Sequence, residues 1–141
     1  MQSDEPASSK TTRRPGPPRV LVVDDDPNMR DLVSIRLRKA GHRVLCAESA
    51  AEALELVESR GAPDVAVLDV TMPGMTGLEL LPAMRSRDGL EALPAVFLSG
   101  RVEESDIAAG RALDATYLTK PFSGIALINA IAAAVEDDGG W

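Results

Sequence analysis

The chain has 141 residues, 45% hydrophobic, 26% charged and only 3% aromatic, which suits one soluble globular domain with an aliphatic core and leaves little room for a second. No apolar run reaches the roughly 20 residues of a membrane-spanning helix. The net charge of −7 divides into +2 over residues 1–19 and −9 over the remainder, so the body disfavours direct nucleic-acid binding and favours a cation or a basic partner face.

Residues 1–18, "MQSDEPASSKTTRRPGPP", are rich in Ser, Thr, Pro and charge and bury too little apolar surface to offset ordering entropy, so they read as a disordered tail. Arg13-Arg14 is not followed by an apolar export segment, which leaves the cytoplasm as the expected location. The domain proper is expected over 19–136, with 137–141 as a short C-terminal tail.

The first strand, Arg19–Val23, runs directly into Asp24, Asp25 and Asp26. Pro27 at a first helical position, with Asp26 as its cap, opens a helix to Ala40 that Gly41 stops. The second strand is Arg43–Ala47; its Cys46 is the single cysteine, which excludes an intrachain disulfide and reads as a small core hydrophobe. His42 is expected as an exposed turn residue. "SAAE", Ser49 to Glu52, reads as a capping box opening the second helix, closed by Gly61 and Pro63.

The third strand is expected over Asp64–Leu68, and a third helix from about Gly77 to Arg87 contains Pro82, which should bend it. Met72, Met75 and Met84 read as core gap fillers. The fourth strand is Ala95–Leu98, the fourth helix about Glu103 to Ala112, the fifth strand Ala115–Leu118 and the last helix Ser123 to Val135. Apolar strands alternating with helices make an α/β domain, a parallel sheet covered on both faces.

Ligands of such sheets gather beyond the carboxyl ends of the strands. Asp24 and Asp25 follow the first strand, Asp69 the third, Ser99 the fourth and Thr119-Lys120 the fifth. Crowded carboxylates repel one another, and a divalent cation relieves them. Mg²⁺ suits the set, because it takes oxygen ligands and keeps waters that a phosphate displaces. Asp24, Asp25, Asp69 and the Thr71 carbonyl are its expected ligands. A carboxylate beside Mg²⁺ and a lysine also serves as a nucleophile toward phosphorus; Asp69 is the candidate, with Lys120 and the Ser99 hydroxyl on phosphoryl oxygens.

These residues stand in "VVDD", "VLDVTMPGMTGLEL", "FLSG" and "YLTKPF", and over about Arg19 to Val135 the chain resembles the receiver domain of two-component response regulators. The spacings, 44 residues from Asp25 to Asp69 and 30 from Asp69 to Ser99, are similar to those of the chemotaxis receiver. The resemblance implies a doubly wound, flavodoxin-like sheet of order 2-1-3-4-5. It implies a phosphoryl group received on Asp69 from a sensor histidine kinase or phosphotransfer protein, and a downstream protein partner. It makes Ser99 and Tyr117 the switch pair and the Lys120-Pro121 bond cis. Thr71 and Arg101 fall at the positions that tune phosphoryl lifetime. A receiver catalyses only its own phosphorylation and dephosphorylation and is not otherwise an enzyme. The sequence departs from the pattern in the 21-residue step from Ser99 to Lys120 and in "LDATY" before the last strand.

Two other functions fit parts of the pattern. A phosphatase of the haloacid dehalogenase kind would use "DDD" as its motif, with Asp24 as nucleophile and Asp26 as acid, though no cap domain fits in the length. A docking module that is never phosphorylated would need none of Asp24, Asp25, Asp69, Ser99 and Lys120. Singly, Asp26 is a helix cap, Ser99 a turn residue and Tyr117 a core aromatic.

Overall fold

A computed structural model of the chain describes residues 16–100 and 104–138. The expected tail up to residue 15, the start of the fourth helix at Glu103, Arg101, and residues 139–141 lie outside the described residues. Five strands alternate with five helices: β1 Arg19–Val23, α1 Pro27–Lys39, β2 Arg43–Ala47, α2 Ala50–Arg60, β3 Val65–Asp69, α3 Gly77–Arg85, β4 Ala95–Ser99, α4 Glu104–Ala112, β5 Thr116–Thr119 and α5 Gly124–Asp138. All strand pairs are parallel, in the order β2-β1-β3-β4-β5. This is the expected doubly wound α/β sheet.

Strand alternation divides the core into two layers. Leu21, Val23, Ala66, Leu68 and Phe97 bury one face against Ala53 and Val57 of α2 and Leu80, Leu81 and Met84 of α3. Val20, Val22, Val67, Val96 and Leu98 bury the other against Val33 and Leu37 of α1 and Leu127 and Ile131 of α5. Because helices cover both faces, the strands are apolar at successive positions.

Side-chain and turn hydrogen bonds move several expected boundaries. Asp64 precedes β3, because its carboxylate accepts from the Arg19 N–H at 2.8 Å while its own N–H donates to the Arg19 carbonyl at 2.8 Å. The ladder then starts at Val20 opposite Val65 and carries β3 to Asp69. Strand β4 continues to Ser99, opposite Thr119. Ala115 falls outside β5, since its N–H donates to the Gly110 carbonyl in the turn that ends α4. That turn holds Asp114 at φ 56°.

The helix ends follow their caps. Asp26 accepts from the Asn28 N–H at 3.0 Å, as expected. Ser123 lies just before α5 and caps it through the Ala126 N–H at 3.0 Å, and α5 continues past Val135 to Asp138. Ser49 caps α2, but Glu52 reaches the Glu48 N–H at 2.8 Å and not that of Ser49, so the expected capping box is displaced by one residue. A full capping box instead joins Thr76 and Glu79 at the start of α3. Helix α3 contains Pro82 and ends at Arg85, two residues early.

Two single-residue expectations change and a third holds in part. His42 is half-buried with its Nδ1 enclosed and, among the described residues, without a hydrogen-bond partner, and burial lowers its pKa. Met75 is 38% exposed, whereas Met72 and Met84 are buried; only the latter two fill gaps. Cys46 packs against the core as expected, but is only half-buried on the edge strand, with Sγ 2.9 Å from the Ser34 hydroxyl.

Candidate functional site

The sheet register delivers the polar groups to one edge. Asp69 ends β3, paired with Leu98 of β4; Ser99 is the next residue of β4 and pairs with Thr119 of β5. The Lys120 N–H then donates to the Ser99 carbonyl at 2.6 Å, and the Lys120-Pro121 peptide bond is cis. On the far side, the Asp24 N–H extends the β1–β2 ladder by bonding the Ala47 carbonyl at 3.1 Å.

The three consecutive aspartates have three environments. Asp24 is 1% exposed; its Oδ1 accepts from the Asp26 N–H at 2.9 Å. Its Oδ2 is buried with no hydrogen-bond partner among the described residues and sits 3.6 Å from Lys120 Nζ. Asp25 is exposed, and one oxygen from each of Asp24, Asp25 and Asp69 lies within 4.8 Å of the others. Asp26 turns away to cap α1.

Asp69 is 4% exposed, with Lys120 Nζ 3.3 Å from its Oδ1. Burial first, and the neighbouring Asp24 second, raise its pKa to about 6, against the opposing pull of Lys120 and a Thr71 backbone hydrogen bond. Burial likewise raises Asp24, resisted by the Asp26 N–H and Lys120. One lysine serves two buried carboxylates, so the cluster retains negative charge. A buried carboxylate oxygen without a donor, beside two further carboxylates, fits a hard divalent cation. Thr71 lies in the loop after Asp69 and is exposed.

Ser99 is 1% exposed. Strand alternation puts it on the same face as Phe97, whose ladder partner is Tyr117. The Tyr117 ring is half-buried and tilted 54° to Phe97 with centroids 6.4 Å apart. It lies over α4, where a Cβ on Gly110 would stand 3.2 Å from the ring. Ser99 and Tyr117 therefore share the sheet face that α4 covers.

Sequence reasoning passed over two residues that hold this site. Arg30, from the second turn of α1, donates through Nη1 to the Asp24 carbonyl at 2.9 Å. Gly77 opens α3 so close to Asp69 that a Cβ there would stand 2.4 Å from the Asp69 carbonyl oxygen. No local pattern marks Arg30; Gly77 is expected only as the start of the third helix, and the close approach to Asp69 adds a requirement for the absence of a side chain.

The family model described as the response regulator receiver domain matches residues 20–132. An uncharacterized 14.6 kDa protein in the sodA1 3′ region of Leptolyngbya boryana is 43% identical over 113 residues, 79% of this chain and 86% of that protein. The chemotaxis protein CheY4 of Vibrio cholerae superposes with a TM-score of 0.79 at 32% identity, over 84% of this chain and 99% of that one. A CheY-like receiver domain protein from Methanospirillum hungatei JF-1 gives a TM-score of 0.78 at 26% identity, over 87% of this chain and 97% of that one.

Proposed function

This chain belongs to the response regulator receiver family and is a receiver domain of a two-component system; from that premise we propose that Asp69 accepts a phosphoryl group from the phosphohistidine of a sensor kinase or phosphotransfer protein. An Asp69 carboxylate oxygen forms the new bond to phosphorus as the N–P bond breaks. The electron pair leaves on the imidazole nitrogen, which takes up a proton, and the product is an acyl phosphate. With a pKa of about 6, Asp69 is mostly ionised at neutral pH, as a nucleophile must be.

The observation that carries this reading is Lys120 Nζ, 3.3 Å from Asp69 and 3.6 Å from Asp24. It holds the nucleophile in place and offers a positive charge where phosphoryl oxygens gather. Asp24, Asp25, Asp69 and the Thr71 carbonyl would hold Mg²⁺. When bound, that ion offsets the charge of carboxylates and phosphoryl oxygens. The buried Ser99 hydroxyl is the proposed donor to the phosphoryl group, and Tyr117 the aromatic that changes the α4–β5 surface offered to a downstream protein partner. The receiver unit is taken as 19–136, acting in the cytoplasm, with turnover confined to its own phosphoryl group.

The dehalogenase-type alternative needs Asp26 free as a general acid, and its carboxylate is engaged by the Asn28 N–H. Incubation with Mg²⁺ and acetyl phosphate, followed by intact mass, tests the reading directly. The expected result is one phosphoryl group on wild type and none on Asp69→Asn. Labelling that survives in Asp69→Asn but vanishes in Asp24→Asn overturns the assignment, and multiple-turnover phosphate release from small phosphoesters favours the phosphatase.

The exposed Asp25 contributes charge without a structural hydrogen bond among the described residues, so Asp25→Ala should leave the fold intact and weaken Mg²⁺ binding by about tenfold. Direct titration of the unphosphorylated protein measures this. An unchanged affinity removes Asp25 from the site.

A further inference from the structure

Helix α4 covers the Ser99 and Tyr117 face with little apolar bulk. Ile107 and Ala109 are half-buried, and among the described residues of the helix Gly110 alone is fully buried. A glycine inside a helix is unfavourable relative to alanine, so its place on the covering face needs a cause. The cause lies on the sheet beneath it. A Cβ on Gly110 would stand 3.2 Å from Tyr117 Cδ2, 3.5 Å from Phe97 Cδ2 and 3.9 Å from Phe97 Cε2, so the missing side chain faces the junction of the two rings.

A methyl group placed there must displace a neighbour, and the three neighbours differ in how freely they move. Phe97 is 0% exposed within the core and is held on all sides. The end of α4 is tied down. Half-buried Arg85 donates through Nη1 to the Leu113 carbonyl, and through Nε and Nη2 to the Leu93 carbonyl at 3.1 and 2.8 Å. Leu113 directly follows the helix, and its N–H bonds the Gly110 carbonyl at 3.1 Å, so the turn that carries Gly110 is fastened to α3 and to the loop before β4. Tyr117 is half-buried on the edge strand β5, which leaves its ring as the group that changes rotamer.

We propose that Gly110 is a positioning residue of the switch: the absence of its side chain makes the place beside Phe97 that the Tyr117 ring occupies, and Arg85 fixes the helix end that bounds this place. The inference rests on the reading of Tyr117 as the switch aromatic and adds what sets its position. Because the ring and the Gly110 turn touch at van der Waals distance, neither moves without changing the room left to the other. The ring therefore reports the position of α4, and Gly110 is where the two meet.

Tyr117 is the only tyrosine of the chain, so ring-labelled tyrosine gives a single set of NMR signals from the full chain. In the unphosphorylated wild type, the ring should show NOEs to Gly110 and Phe97. In Gly110→Ala the NOE to Phe97 should fade, and relaxation of the ring by a soluble gadolinium chelate should rise about twofold as it takes a solvent-facing rotamer. Arg111→Ala, an exposed change in the same turn, should alter neither. With Mg²⁺ and acetyl phosphate, both variants should gain one phosphoryl group by intact mass, as wild type does. The amide shifts that phosphorylation causes in α4 and β5 should fall to about half or less in Gly110→Ala, since the population shift loses one of its end states. If wild type gains no phosphoryl group, the phosphorylation reading fails, and the ring signals of the unphosphorylated chain still decide the role of Gly110. The proposal is overturned by a ring that stays in place in Gly110→Ala, by an equal displacement in Arg111→Ala, by a Gly110→Ala chain that does not fold, by lost labelling of that variant, or by undiminished amide shifts once it is labelled.

Discussion

Without divalent cation at pH 7, Asp69→Asn is expected to be more stable than wild type by about 2 kcal/mol, an advantage that shrinks as the pH falls toward 4. The folded carboxyl has its pKa raised from 3.8 to about 6, chiefly by burial and then by Asp24. In that interval the unfolded chain has released its proton while the folded one retains it. Rising pH therefore removes stability through the window from about 4 to about 6, and above it the cost of the buried charge is fully present. A shift of about two pKa units sets an upper bound near 3 kcal/mol. The variant recovers less, because Lys120 then keeps only Asp24 as a carboxylate partner.

Urea denaturation of both proteins in chelator from pH 4 to 8 measures the effect. Parallel stability curves, or a variant less stable at pH 7, would mean that the site does not strain the fold. Saturating Mg²⁺ should narrow the gap at pH 7, since an ion that binds only the folded state stabilises wild type by mass action. A receiver site is then a place where foldedness is traded for a reactive carboxylate, and the charge cluster is its physical mark.

Much of this was legible in the sequence because it is carried by short-range rules. Apolar runs bounded by Gly and Pro marked all five strands, and Asp26-Pro27 marked the start of α1 through cap and ring geometry that depends on adjacent residues alone. The meeting of Asp24, Asp25, Asp69 and Lys120 was legible because a parallel sheet brings strand ends to one edge whatever separates them in sequence. Boundaries failed where a side chain from elsewhere took over a backbone group. Asp64 was read as a strand residue because nothing nearby reveals that its carboxylate captures the Arg19 N–H, 45 positions away. Arg30 escaped notice for the same reason, since its target is a carbonyl rather than a charge. The Thr76–Glu79 box was local and readable, and was obscured by the loop that precedes it.

Gly77→Ala should have the largest structural effect among single substitutions near the site, and with the opposite sign to the usual one. Gly77 is the first residue of α3, and replacing a helical glycine by alanine ordinarily stabilises by up to about 1 kcal/mol. Here the new Cβ would stand 2.4 Å from the Asp69 carbonyl oxygen and 3.3 Å from Leu68 Cβ. Both neighbours belong to a fully buried strand, so neither swings aside as a flexible side chain would. Either α3 retreats from the sheet, opening the layer around Leu80 and Leu81, or the end of β3 is displaced and carries Asp69 away from Lys120. The expected loss is about 2–4 kcal/mol, with phosphorylation by acetyl phosphate slowed at least tenfold, because displacements on the order of 1 Å are costly for a positioned nucleophile. Gly74→Ala is the control. Gly74 lies in the loop that precedes α3 at φ 76°, with open space where a Cβ would go, so it should lose only about 1 kcal/mol from backbone strain and leave the rate intact. Equal losses in the two variants would attribute the effect to loop conformation. A Gly77→Ala protein as stable as wild type would show that strand and helix yield, and that their close approach does not hold Asp69 in place.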